Sequence, residues 1–370
     1  MKRKIISVLM SLALVCGTFA GFTVFAFADG TYTMENPEGN GMCGDNITYT
    51  YDAATQTLEL SGNGVLERAF SDSDNVRTVV IHPGITSIYG DPTYGAPLGN
   101  LHNLVNVGIP NTVTYIGREA FSNSVKTLKS IRIPDSVTAM GDYPFPTSLT
   151  DIYYSGTQEQ WNSIDLLNDY RGPEYYFEEN EPPTEYSLNP ITVHYGASVF
   201  DDVLNANDFY YTPVYWAADS GITKGTSKIL FSPDLECTRA QIVTFLWRAN
   251  GSPDVAVSNE FTDVSSDQYY AKAVAWAVQQ GITVGTSDTT FSPDMPCTRA
   301  QAVTFLWRAN ESPSASASSK FNDVDSSQYY ADAVNWAVKN NITAGTSDAI
   351  FSPDVVCTRA QIVTFIYRAK

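Results

Sequence analysis

One run of residues, Cys237-Thr238-Arg239-Ala240-Gln241-Ile242-Val243-Thr244-Phe245-Leu246-Trp247-Arg248-Ala249, returns at Cys297 to Ala309 and at Cys357 to Ala369, each time after 60 residues. A fixed period of this length commits a chain to one structural unit used repeatedly, with neighbours burying what no unit can bury alone. The upstream part of the unit keeps the register. Phe200, Asp202 and Val203 correspond to Phe261, Asp263 and Val264 and to Phe321, Asp323 and Val324, while Trp216, Trp276 and Trp336 follow at 60-residue steps. One residue slips between Phe200 and Phe209.

Each unit reads as two short helices. In the middle copy Tyr270, Ala273, Val274 and Ala277 fall at i, i+3, i+4 and i+7, one face of a helix over Tyr270 to Val278. It stops at Gly221, Gly281 or Asn341, residue types that accept the left-handed conformation after a helix. A turn-rich loop follows, with Gly225, Gly285 or Gly345 and then Phe-Ser-Pro-Asp starting at Phe231, Phe291 or Phe351. The second helix opens on Thr-Arg-Ala-Gln. This is a capping box, in which the Thr hydroxyl accepts from the Gln N–H and the Gln side chain reaches back, worth about 1 kcal/mol. Ile242, Phe245, Leu246 and Ala249 supply its apolar stripe, widened by Val243 and Trp247. Helices below roughly 12 to 15 residues are marginal in water, so the three units are expected to pack together.

After Arg171 every arginine occupies one of two positions: Arg239, Arg299 and Arg359 just inside the second helix, or Arg248, Arg308 and Arg368 at its end. A cation at the end complements the helix dipole; one at the start opposes it. Two readings account for a start position filled by arginine three times. An anion docks where the arginine and the free helix-start N–H groups converge, or each arginine pairs with Asp202, Asp263 or Asp323 to hold the loop.

Phe-x-Asp-Val, Trp-Ala, Gly-Ile-Thr-x-Gly, Phe-Ser-Pro-Asp and Thr-Arg-Ala-Gln, in this order and three times over residues 196 to 370, resemble the S-layer homology (SLH) domain. The resemblance implies an all-α, pseudo-threefold module that anchors exported proteins non-covalently to anionic, often pyruvylated, secondary polysaccharides of the Gram-positive cell wall. It further implies that Arg239, Arg299 and Arg359 meet the acidic groups of such a polymer, with Asp202, Asp263 and Asp323 orienting the loops and Gly225, Gly285 and Gly345 allowing close backbone approach. Trp216, Trp276 and Trp336 stack on sugar or pack in the core. The chain departs from the family in carrying Gln241, Gln301 and Gln361 where Glu is usual, and Cys237, Cys297 and Cys357 where Ile or Val is usual.

The first half of the chain has a different organisation. Residues 1–28 read as a secretory signal, with Lys2, Arg3 and Lys4, an apolar run over Ile5 to Val15, and Ala26-Phe27-Ala28 as the cleavage site. Removing that segment, which holds three cations and no acids, takes the net charge from −18 to −21, a poor match to nucleic acid or anionic lipid. Residues 29–75 hold a hairpin cap, with Ile47 to Tyr51 and Thr57 to Leu60 alternating around a turn. Leu104, Val107, Ile109-Pro110, Val113, Ile116-Gly117 and Phe121 then recur 24 residues later as Leu128, Ile131, Ile133-Pro134, Val137, Met140-Gly141 and Phe145, a solenoid signature. Ile109-Pro110-Asn111-Thr112-Val113-Thr114-Tyr115-Ile116-Gly117-Arg118-Glu119-Ala120-Phe121 resembles the BspA-type leucine-rich repeat, and the likeness covers 76–195. Members of that family are surface proteins, several implicated in adhesion. The acidic, aromatic stretch over 170–190 reads as a solvated insertion.

The expected fold is therefore multidomain: an N-terminal β-rich leucine-rich-repeat solenoid and a C-terminal helical module with units at 196–250, 257–310 and 317–370. No nucleophile motif, histidine metal spacing, calcium loop or phosphate-cradling glycine loop is present in the sequence, so no catalytic residue, metal or cofactor is assigned. Four cysteines follow the signal; the three equivalent ones need not face one another in a three-part assembly and are expected as buried thiols, with Cys43 apart, although sequence alone leaves disulfides open. The reading is a secreted protein held on wall polysaccharide that displays the solenoid to a protein or glycan ligand. A self-assembling surface-layer protein and a wall-anchored carbohydrate-active enzyme are the alternatives.

Overall fold

The computed structural model describes residues 35–44, 46–89, 95–121, 125–141, 143–166, 191–257, 261–315 and 320–370. The expected signal segment, 1–28, and the acidic stretch over 170–190 lie outside the described residues. In chain order the strands are β1 Gly41–Gly44, β2 Ile47–Asp52, β3 Thr57–Gly62, β4 Gly64–Leu66, β5 Thr78–Ile81, β6 Ile85–Ile88, β7 Asn106–Gly108, β8 Tyr115–Ile116, β9 Ser130–Ile133, β10 Ala139–Met140, β11 Asp151–Tyr154, β12 Asp165–Leu166 and β13 Thr192–Tyr195. The helices are α1 Gln158–Asn162, α2 Tyr211–Asp219, α3 Arg239–Ala249, α4 Ala271–Gln279, α5 Arg299–Ala309, α6 Ala331–Lys339 and α7 Arg359–Arg368.

The first half is a β-solenoid of about four turns over residues 57–166. Each turn lays one strand on the parallel ladders β3-β5-β7 and β9-β11-β13, and the next strand on the ladder β4-β6-β8-β10-β12. Alternation along each strand sends every second side chain inward. Leu58 and Leu60, Val79 and Ile81, Val107 and Ile109, Ile131 and Ile133, and Ile152 and Tyr154 therefore stack as successive layers of one core. Leu66, Ile88, Ile116 and Met140 close it from the opposite ladder. The β2–β3 hairpin turns at Asp52, whose carboxylate accepts from the Ala54 N–H at 2.9 Å and the Thr55 hydroxyl at 2.8 Å.

The outer face of this solenoid is not all left to water. Thr57, Thr78 and Val80 point away from the core and are nevertheless buried. Asn207 donates to Thr57 Oγ1 at 2.8 Å, and Asn111 N–H donates to Asp201 at 2.7 Å. A Cβ on Gly108 would lie 2.5 Å from the Leu204 carbonyl oxygen, so only glycine lets the connecting segment cross that strand. Arg132 donates to the Ser198 carbonyl, pairs with Asp219 at 2.6 Å and lies 4.0 Å over the Tyr215 ring. Tyr215 stands where the other two copies carry Ala275 and Asn335, so the first unit is specialised as the solenoid's neighbour.

The helical half closes as a ring. Within it α3 packs on α4, α5 on α6 and α7 on α2, so the second helix of each unit meets the first helix of the next. One core cluster runs through all three units. Tyr270 proves to be the N-cap of α4 and not its first turn, and Ala249, expected in the buried stripe, is exposed at the end of α3. The central helices have little free surface: in α3 residues 242–246 are all buried, as expected of a helix enclosed by neighbours.

Candidate functional site

The sequence-selected residues converge at three junctions between units, and they do so through one loop. Asp263 accepts from the Phe291 N–H at 2.9 Å and the Ser292 N–H at 2.7 Å; Asp202 and Asp323 hold Phe231–Ser232 and Phe351–Ser352 in the same way. Two charge-assisted bonds fix the loop although Ser232, Ser292 and Ser352 sit at φ of 60, 57 and 61°, a region costly for a side chain. The arginine of the preceding unit grips the same residue from its other side. Arg239 Nε donates to the Phe291 carbonyl, Arg299 Nε to that of Phe351, and Arg359 Nε to that of Phe231, all at 2.9 Å. The cycle thus runs from the first unit to the second, to the third, and back.

This arrangement departs from both readings of the arginine. No ion pair joins Arg239, Arg299 or Arg359 to an aspartate among the described residues; each shares a loop peptide with one instead. Nor are the helix-start N–H groups free for an anion. Arg239 N donates to the Met295 carbonyl and Ala240 N to that of Pro293, while Gln241 N donates to the Thr238 hydroxyl. The first helix donors are spent on the adjacent unit because its loop turns its carbonyls toward them. What remains is the guanidinium itself. Arg239 and Arg359 are 3% exposed, and their Nη2 atoms have no hydrogen-bond partner. Burial lowers the arginine pKa from its ordinary value, but a guanidinium keeps its charge. The Phe291 ring, 4.8 Å from Arg239, and the Phe231 ring, 4.8 Å from Arg359, offer their faces as partial compensation.

The other selected residues fall into two groups. Gly225, Gly285 and Gly345 have φ of 79, 88 and 95°, and a Cβ on Gly285 would meet Thr290 O at 2.6 Å. Their close approach is to their own loop. Trp276 and Trp336 pack in the core, whereas Trp216 is half-buried, edge-on to Tyr367. All four capping boxes, including one on α1 that the sequence reading missed, have both reciprocal bonds.

The three equivalent cysteines are buried thiols, as expected, and their backbones meet. Cys237 N donates to the Cys357 carbonyl, Cys297 N to that of Cys237 and Cys357 N to that of Cys297, each at 2.9 Å. These equivalent residues do meet, because the strand-like segments before the three capped helices surround the pseudo-threefold axis. Their thiols are free and buried, and burial pushes Cys237 and Cys357 up to about 12 from 9.0. A raised pKa means the folded state keeps protons that the unfolded state releases. The thiols' contribution to stability should therefore be complete below pH 9 and fall as pH rises from 9 toward 12. Urea unfolding across that window should show the decline, and Cys237→Val/Cys297→Val/Cys357→Val should remove the axial thiols' share of it, leaving the share of Cys43 and the tyrosines whose pKa values burial also raises.

Comparison with known proteins follows the same division. The S-layer homology domain matches residues 199–243, 260–303 and 320–363. The chain carries three SLH domains. The BspA type Leucine rich repeat region matches residues 67–165. Over 183 residues the chain is 26% identical to the S-layer protein sap of Bacillus anthracis, a match covering 48% of this chain and 22% of that protein. It is 24% identical over 288 residues to the amylopullulanase of Thermoanaerobacterium thermosulfurigenes, covering 72% of this chain and 15% of that enzyme. The chain therefore spans less than a quarter of these relatives. Among solved structures, a leucine-rich repeat protein from Eubacterium ventriosum matches at 23% identity and a TM-score of 0.26, covering 45% of this chain and 47% of that one. Three matches to the S-layer homology domain beside S-layer relatives mark a wall-anchored cell-surface protein. Among the described residues no helix is long and apolar enough to cross a membrane.

Proposed function

We propose that the SLH ring holds anionic secondary wall polysaccharide, pyruvylated where the wall carries that group, and that the solenoid is displayed outward as a non-enzymatic ligand-binding surface. The observation that carries the reading is the pair of buried arginines, Arg239 and Arg359, each with an unmet Nη2. A buried guanidinium donor without an acceptor is costly unless a ligand supplies one. Asp202, Asp263 and Asp323 position the loops of this site, with Gly225, Gly285 and Gly345 shaping them. Of the tryptophans, Trp216 is the half-buried one, with the Lys370 ammonium 4.7 Å over its ring, and it is the one placed to meet sugar. Export through the expected leader at 1–28 belongs to the same proposal, as do the limits drawn between the hairpin cap, the repeats to 195 and the three units from 196. Because the connecting segment covers the outer face of β3, β5 and β7, ligands of the solenoid would meet its opposite ladder or its loops.

Sedimentation of the full chain with purified walls tests this. Protein should pellet with polymer-bearing walls and stay in solution with walls stripped of the secondary polymer, and added salt should weaken the binding. Equal pelleting with both preparations would refute the proposal.

A further inference from the structure

Anchoring leaves one set of reactive groups unused, the three thiols on the pseudo-threefold axis. Three antiparallel bridges set their register. Glu236 pairs with Thr358, Thr238 with Pro296 and Thr298 with Val356, so Cys237 stands opposite both Cys357 and Cys297, and Cys297 stands opposite Cys357. The backbone bonds that run round this triangle, each 2.9 Å, hold that register. Opposite residues of antiparallel strands have Cα atoms about 4.5 to 5.5 Å apart and project their side chains on one face. A disulfide spans Cα atoms roughly 4.4 to 6.8 Å apart. All three pairs therefore have the spacing of a disulfide, although the three cysteines are free and 0% exposed. Among the described residues no group of three ligating side chains could hold a metal ion, so pairwise chemistry is what the spacing allows. Cys43 lies in the solenoid core, outside this set.

We propose that Cys237, Cys297 and Cys357 form an oxidative modification site, at which a hydroperoxide joins two of the three as a single disulfide and seals the ring. In the closed ring burial keeps the thiols protonated and away from water, so they are inert there. Reaction belongs to the moments when two units part. One thiol loses its proton and attacks the peroxide; the O–O bond breaks, the sulfur becomes a sulfenic acid and one water leaves. When the ring recloses, its register returns a second thiol to that sulfur. The S–S bond forms, the S–OH bond breaks and the hydroxyl departs with the second thiol's proton as another water. Two thiols have then given up two electrons and two protons, and hydrogen peroxide has become two waters. Three cysteines close only one such bond, so one thiol is left over. A Cys237–Cys357 bond spans 120 residues (357 − 237) and ties the third unit to the first, the junction that chain continuity does not secure. A cross-link over a loop of that length restricts the unfolded chain strongly.

The test is treatment of the full chain with hydrogen peroxide at neutral pH, in urea below its unfolding midpoint, followed by mapping of cross-linked peptides and a urea titration. Two axial thiols per chain should be lost, and the bonds should appear in all three pairings of Cys237, Cys297 and Cys357. The urea midpoint of the ring should rise by roughly 1 to 2 M and fall back when dithiothreitol is added. Cys297→Val should yield the Cys237–Cys357 bond alone and keep the rise, whereas Cys237→Val/Cys297→Val should abolish both bond and rise. Axial thiols that survive the treatment, that end as sulfinic acid without a bond, or that pair with Cys43 or with another chain would overturn the proposal, and so would a bond that lowers the midpoint. None of these outcomes bears on wall binding, which needs no oxidant.

Discussion

Arg359→Ala is expected to destabilise the helical ring by about 2 to 5 kcal/mol, the cost of emptying a large buried site and losing a charged donor to a buried carbonyl. The side chain spans 128 positions of sequence to donate to the Phe231 carbonyl at 2.9 Å, and its guanidinium lies between the rings of Phe231 and Phe245. Truncation leaves that carbonyl without its side-chain donor, opens a cavity between two aromatic rings and loosens the joint that closes the third unit onto the first. Arg359→Lys keeps a charge but cannot present the planar fork, so it should recover only part of the loss. The urea midpoint at unchanged slope is the readout. A shift worth less than about 1 kcal/mol would show that the ring is held by its apolar core alone. The same argument means that wall-binding loss in an arginine-to-alanine variant counts only once the variant is shown to fold.

The second large effect concerns a glycine. Gly285→Ala should cost more than roughly 3 kcal/mol, whereas Gly281→Ala, only four residues away, should cost about 1 kcal/mol. Both have positive φ, 88° and 66°, so both pay for a left-handed side chain. They differ in space. A Cβ on Gly281 meets nothing within 4 Å, while one on Gly285 would lie 2.6 Å from Phe261 Cε1, 2.6 Å from Thr290 O and 2.7 Å from Ser287 O. Two of those neighbours are backbone of the same tight loop and cannot yield without undoing the turn that Asp263 holds. Equal losses in the two variants would mean that the crowding relaxes freely.

Much of the local structure was legible in the residues. The capping boxes at Thr238, Thr298 and Thr358, the left-handed stops at Gly221, Gly281 and Asn341, the β2–β3 hairpin and the 24-residue solenoid period all depend on neighbours within a few positions or on strict repetition. The role of the arginines was less legible. Their position at a helix start pointed to an anion or an aspartate, but the carbonyls that receive them lie 52 or 128 positions away. The one-residue slip before Phe209 and the exchange of Tyr for Phe there were visible in sequence.

What the sequence determined by itself, then, is the unit: a short helix stopped by Gly or Asn, a glycine-dependent loop and a second helix opened by a capping box would have little else to become, since short-range hydrogen bonds and helical periodicity act within each copy. Three decisions belonged to the tertiary structure. It joined the loop of each unit to the preceding unit's arginine, brought Cys237, Cys297 and Cys357 together at the axis, and laid Leu204 and Asn207 across Gly108 and Thr57. Each of these contacts joins residues far apart in the chain, and their geometry exists only once helices too short to stand alone have closed into a ring and buried one another's apolar faces.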